Sequence, residues 1–165
     1  MNYEEELGQI LRNKNLTIAT AESCTGGLIS SRLTDVSGSS DYVMLNFVTY
    51  ANEAKNKILG VSWDILNTFG AVSCQCAQAM AEGLQKVTGC DIAICTTGIA
   101  GPTGGTKEKP VGLMFTSIKY NGIITVKEVL LPQNLNRIEM KQKFADEALK
   151  LALSVLKNNR IATKE

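Results

Sequence analysis

The sequence contains no histidine. That excludes Ser-His-Asp and Cys-His catalysis and every histidine-ligated metal site. A catalytic side-chain base on this chain must therefore be a carboxylate, a lysine or a tyrosine. An excess of charge is missing too. Seventeen Lys+Arg face 16 Asp+Glu, a net charge of +1, so there is no polyanion footprint and no nucleic-acid partner is expected. No apolar run reaches the length of a membrane span. The acidic start, Met1-Asn-Tyr-Glu-Glu-Glu6, lacks the basic-then-apolar pattern of a secretory leader. A cytoplasmic location, away from membranes, is the expectation. Cysteines number five, an odd count without a secretion signal, so reduced thiols are expected. Cys74-Gln-Cys76 has one intervening residue, not the two of a redox or zinc motif. Cys90 and Cys95 flank an apolar strand and read as buried small hydrophobes. Neither a metal nor a cofactor is called for.

What is present is an ordinary globular balance: 165 residues, 44% hydrophobic and 20% charged. One domain over residues 1–165 is expected, long enough to bury a core without staples. Residues 3–13 carry Leu7, Ile10 and Leu11 on one helical face. A strand is expected over 16–21, a helix over 26–34 and a second strand over 42–50. Asn52 can cap a helix to Leu59, Ser62 one to Thr68, and Ser73 one to Thr88. A third strand is expected over 91–97. It leads into the glycine-rich loop Gly98-Ile-Ala-Gly-Pro-Thr-Gly-Gly105. Strands over 111–119 and 123–130 flank Asn121-Gly122, a two-residue hairpin signal. A last helix is expected over 136–157.

Helices separate the first three strands and the last two form a hairpin. This order specifies an α/β fold: a three-layer α/β/α sandwich with a mixed, mostly parallel sheet of about five strands ending in a β-hairpin. Ligands of such sheets bind beyond the carboxyl ends of the strands. Three polar clusters fall there: Glu22-Ser-Cys-Thr-Gly-Gly27, Thr49-Tyr-Ala-Asn-Glu-Ala-Lys55 and Thr96-Thr-Gly-Ile-Ala-Gly-Pro102.

Within the first cluster, Ser23 sits at a strand-to-helix junction, where a hydroxyl projects from the sheet and the N–H groups of the next turn can hold an oxyanion. The plain alternative is that Ser23 or Thr25 caps the helix. Cys24 is the rival nucleophile, but neighbours at a strand end face opposite ways, so only one of the two meets the crevice. Glu22 is either an acid–base group or a partner for backbone N–H groups. In the second cluster, Lys55 falls in the first turn of a helix, where the dipole disfavours a cation. Burial would lower its pKa further, as a lysine base requires; the alternative is a lysine that carries its charge back to water. Lys57 points to a different face. Tyr50 could relay a proton between serine and lysine, or simply keep a wet hydroxyl. The Gly98–Gly105 loop could bind an anion through backbone N–H groups or act as a flap.

The run Thr20-Ala-Glu-Ser-Cys-Thr-Gly-Gly27 resembles the signature of the CinA C-terminal domain family, which includes PncC-type nicotinamide mononucleotide deamidases. Gly38-Ser-Ser40, Val48-Thr-Tyr-Ala-Asn-Glu-Ala-Lys55 with Leu59-Gly-Val61, Gly70-Ala-Val-Ser73, and Gly98–Gly105 with Glu108-Lys-Pro-Val-Gly112 extend the match in order over residues 5–157. The resemblance implies an α/β/α fold with a mixed sheet. It also implies hydrolysis of nicotinamide mononucleotide to nicotinate mononucleotide and ammonia in pyridine nucleotide salvage, without a metal, by a stand-alone domain that is usually a homodimer. It assigns catalysis to Ser23, Tyr50 and Lys55. Thr25, Gly26 and Gly27, and Gly98, Ile99, Ala100 and Gly101, are then the substrate-binding residues. Two departures stand out. Thr97 replaces a frequent serine, and Asn134-Leu-Asn-Arg-Ile-Glu-Met-Lys141 replaces a Gly-Asp-Arg…Val-Arg pattern, with Arg137 matched and Lys141 in place of the second arginine. The rival expectations are a CinA-like module that binds a nucleotide without turnover, and an amidase for another small amide.

Overall fold

A computed structural model describes residues 1–158. Its elements run α1 (Tyr3–Lys14), β1 (Ile18–Glu22), α2 (Leu28–Asp35), β2 (Val43–Val48), α3 (Asn52–Leu59), α4 (Trp63–Thr68), α5 (Cys74–Thr88), β3 (Ile92–Gly98), β4 (Leu113–Tyr120), β5 (Ile123–Leu130) and α6 (Arg137–Asn158). The sheet order is β2-β1-β3-β4-β5. β1 pairs parallel with β2 and β3, while β4 is antiparallel to both β3 and β5. The expected α/β/α sandwich is what forms. Among the described residues no helix is long and apolar enough to cross a membrane.

Side-chain alternation sorts the two faces of the central strands. Ile18, Ile92, Ile94 and Ile118 meet Leu7, Leu33, Leu149 and Leu153 of α1, α2 and α6. Ala19, Ala21, Ala93 and Cys95 meet Met80, Ala81 and Leu84 of α5, with Leu59 of α3 and Leu66 of α4 alongside. The small residues on the second face let α5 sit close to the sheet. Truncating a fully buried member such as Leu33 to alanine should cost about 2–5 kcal/mol. Arg32 fastens the first layer: its guanidinium donates to Glu4 of α1 and Asp146 of α6, each at 2.8 Å.

Local signals placed most boundaries. Asn2 and Glu5 form a capping box on α1, and Ser62 and Ser73 cap α4 and α5. Asn136 accepts from the Glu139 N–H and donates its own N–H to the Glu139 carboxylate, giving α6 the same reciprocal cap. Asn121 and Gly122 both have positive φ, 51° and 74°, as a tight hairpin needs.

Two expectations are corrected. β2 stops at Val48 rather than running to residue 50, and Tyr42 lies outside it, buried against α1 and the sheet core. Asn52 does not cap α3: the capping position is Ala51, whose carbonyl accepts from the N–H groups of Ala54 and Lys55 without side-chain help. Asn52 is instead the first helical residue, free to face the crevice.

Candidate active site

Strands β1 and β2 end level with one another, Glu22 pairing with Val48 on one side and with Thr96 on the other, while β3 runs on to Gly98. The ladder continues one step further, through Ser23 N–H to the Thr96 carbonyl and Thr49 N–H to the Glu22 carbonyl. This extra step holds Ser23 rigidly at the sheet edge. The alternation that sends Ala19 and Ala21 toward α5 sends Ser23 the same way, into a cavity of about 250 Å³. Glu22 belongs to the other side. Cys24 packs toward α6 yet also lines this cavity, so the expectation that only one of Ser23 and Cys24 meets the crevice is corrected.

Lys55 enters this cavity from α3. Its side chain is 1% exposed. The amine Nζ lies 3.1 Å from the Ser23 Oγ and donates to the carbonyls of Thr49 and Tyr50, both at 2.9 Å. Burial lowers its pKa below the ordinary lysine value. Its place in the first turn of α3 acts in the same direction. A neutral amine has two N–H bonds and one lone pair. With two carbonyls taking the N–H bonds, the lone pair is left for the Ser23 hydroxyl.

The other named residues divide. Cys24 packs with Ala100, Met114, Met140 and Phe144, and burial pushes its thiol pKa up to about 12. A thiol so protonated is a poor nucleophile. Glu22 is fully buried and caps α2. One carboxylate oxygen accepts from the Ile29 N–H at 2.8 Å and the Thr25 hydroxyl at 2.6 Å; the other accepts from the Ser30 N–H at 2.9 Å. Of the two roles open to Glu22, this is the backbone one. Tyr50 lines the cavity and is 58% exposed. Its hydroxyl lies 3.2 Å from an Arg137 guanidinium nitrogen that can donate to it, whereas its carbonyl is the group beside Lys55. No hydrogen bond joins the phenol to Ser23 or Lys55 among the described residues. Lys57 is not among the cavity residues.

Gly98, Ile99 and Ala100 form the opposite wall. A Cβ on Gly98 would fall 2.7 Å from the Leu113 carbonyl oxygen, so only glycine permits this close packing of β3 on the start of β4. The Gly101 carbonyl accepts from Arg137 at 2.6 Å, which ties the loop to α6. Thr97 donates to the Ala71 carbonyl at 2.8 Å and holds the segment before α5 against the cavity. Thr25, Gly26 and Gly27 line a different cavity, on the far side of their turn. The Gly26 N–H donates back to the Ser23 carbonyl.

Arg137 and Asn52 were not singled out by the residue pattern alone. One signal pointed to Arg137: it is the first residue of α6, a cation at a helix start, as Lys55 is. Among the described residues no carboxylate belongs to the cavity wall, which carries Lys55 and Arg137.

This arrangement is a serine–lysine pair, with Arg137 on the same wall, at the carboxyl edge of a mixed sheet covered on both faces. Residues 1–156 match the CinA C-terminal domain model, and the chain belongs to that family. A CinA-like protein of Chloroherpeton thalassium is 49% identical over 160 residues, which is 94% of this chain and 38% of that protein. A Clostridium novyi relative, named as a competence-damage inducible protein, is 53% identical over 84% of this chain and 33% of its own length. The chain thus spans only about a third of the length of these curated relatives. Solved structures match along nearly their whole length. The competence/damage inducible protein CihA of Agrobacterium tumefaciens is 41% identical with a TM-score of 0.87, covering 95% of this chain and 97% of that one. A CinA superfamily protein of Klebsiella pneumoniae is 27% identical with a TM-score of 0.90, covering 94% and 96%.

Proposed function

We propose that this domain is an amidohydrolase that converts nicotinamide mononucleotide to nicotinate mononucleotide and ammonia through an acyl-serine. The observation that carries this reading is the Ser23–Lys55 pair, 3.1 Å apart, with the remaining amine directions taken by the Thr49 and Tyr50 carbonyls. Lys55 accepts the Ser23 proton as Oγ adds to the carboxamide carbon. The oxyanion is held by the N–H of Cys24, the residue after the nucleophile, and by that of Ala100 across the cavity, which has no acceptor among the described residues. Protonated Lys55 then gives its proton to the departing nitrogen, and ammonia leaves. Water adds to the ester as Lys55 takes one of its protons; the tetrahedral adduct collapses as Lys55 returns that proton to the departing Ser23 Oγ, and the released acid ionises to the carboxylate product. Tyr50 orients Arg137 in this scheme, and the Arg137 charge favours an anionic substrate.

A second copy of the chain is part of the reading. β2 is the outermost strand on its side of the sheet, reads Val-Met-Leu-Asn-Phe-Val without a charge, and exposes Met44, Leu45 and Val48. Such an edge invites pairing, and a two-fold β2–β2 contact would satisfy it in a homodimer.

The test is ammonia release from nicotinamide mononucleotide compared with nicotinamide and with the dinucleotide. Selective turnover of the mononucleotide is expected. Equal turnover of all three, or none, contradicts the assignment.

A further inference from the structure

The turn Thr25-Gly26-Gly27 lines a second cavity of about 310 Å³, to which neither Ser23 nor Lys55 contributes. It lies between the start of α2 and the first turns of α6, with Thr25, Gly26, Gly27, Ser31 and Lys141 on its wall. Lys141 reaches over the turn: a Cβ on Gly26 would lie 3.2 Å from the Lys141 Nζ. Among the described residues Lys141 has neither an ion pair nor a hydrogen bond. The carboxylate on its own helix nearest in sequence, Glu139, is engaged with the Asn136 N–H. Among the described residues no carboxylate lines the cavity.

The start of α2 itself is not open to an anion, because Glu22 already takes the Ile29 and Ser30 N–H groups. What remains on the cavity side is a free ammonium, the Ser31 hydroxyl and the N–H groups of Thr25 and Gly27, which have no acceptor among the described residues. Gly26 and Gly27 have φ of 60° and 96°, so the turn keeps a backbone that side chains rarely adopt and presents no side chain between the two cavities. Arg137 and Lys141 are four residues apart on α6 and therefore share a face. Arg137 lines the serine cavity and Lys141 the second one. The two cavities thus flank a single turn under one helix face.

We propose that the second cavity holds the phosphate monoester of the substrate, with Lys141 as its ion partner and Ser31 and the turn N–H groups as further donors. This rests on the deamidase reading for the carboxamide end. A nucleotide with its carboxamide at Ser23 then lays its ribose over the glycine turn. Arg137 is held by Tyr50 and the Gly101 carbonyl, which leaves Lys141 as the cation free to meet a phosphate.

Ribose 5-phosphate and ribose titrated onto wild type, Lys141→Gln and Lys141→Arg test this without needing turnover. Binding is followed by calorimetry and by the amide resonances of Gly26 and Gly27, with circular dichroism as the check on folding. The expected result is ribose 5-phosphate binding that moves those amides, weakens at least about 10-fold in Lys141→Gln and is kept within about 3-fold in Lys141→Arg. Ribose should bind none of the three. Equal binding by wild type and Lys141→Gln, or shifts confined to residues 98–101, overturns the proposal. Ammonia release measured in parallel separates the two readings. Lys141-dependent binding without deamidation keeps the phosphate site and removes the deamidase. Deamidation with an unchanged KM in Lys141→Gln does the reverse.

Discussion

Glu22 and Lys55 lie on opposite sides of Ser23, and both are charged side chains buried at a helix start. Glu22 is 0% exposed and sits where the positive end of α2 favours it, with two backbone N–H groups and a hydroxyl on its oxygens. Lys55 is 1% exposed and sits where the start of α3 disfavours it, with only neutral acceptors around it. A buried charge with complementary partners fixes structure. A buried charge placed against its field is a group whose proton is easily given up, and such groups concentrate at working sites.

The sharpest way to break this comparison is to remove the amine. Lys55→Met should lower deamidation by at least about 10³-fold while leaving the thermal midpoint unchanged or higher, since an apolar chain replaces an unfavourably buried one. The pH dependence of stability should change as well. The Lys55 pKa is lowered on folding, so between the folded value and the ordinary lysine value the unfolded chain binds the extra proton. Stability of the wild type therefore rises with pH across that interval and is level below it. In Lys55→Met this contribution to the slope should vanish. Loss of stability on the scale of a broken ion pair would show that Lys55 is a structural cation instead.

Glu22→Ala tests the other half. It strands the Ile29 and Ser30 N–H groups and the Thr25 hydroxyl in the interior, so unfolding in denaturant should show a loss of about 3 kcal/mol. A stability near wild type would contradict the capping role.

A smaller effect is expected at Tyr50. Its hydroxyl meets Arg137 rather than the serine–lysine pair, so Tyr50→Phe should change kcat by less than about 10-fold and act mainly on KM. A kcat loss as large as that of Lys55→Met would restore the phenol to the proton path.

Much of this was legible along the chain. Two-residue alternation from Ile18 to Cys24 already separates Ser23 from Cys24. The first-turn position of Lys55 already marks it as misplaced for a cation. The Asn121-Gly122 hairpin and the Ser62 and Ser73 caps follow from local chemistry. Long-range placement was not legible. The Tyr50 hydroxyl is taken by Arg137, 87 residues away, and no local pattern encodes that pairing. Thr25, Gly26 and Gly27 share a strand-end cluster with Ser23 but line the opposite cavity, because the turn doubles back through the Gly26 N–H to the Ser23 carbonyl. Asn52 is a favourable capping residue one position too late; Ala51 carries the cap because its carbonyl completes the first turn of α3.

The most direct test is rapid-quench mass spectrometry of the protein turning over a slow carboxamide analogue of the mononucleotide. Fragment ions should place the acyl mass on Ser23, and the adduct should be absent from Ser23→Ala, which releases no ammonia. An acyl group on Cys24, or steady ammonia release by Ser23→Ala, would contradict the serine–lysine account.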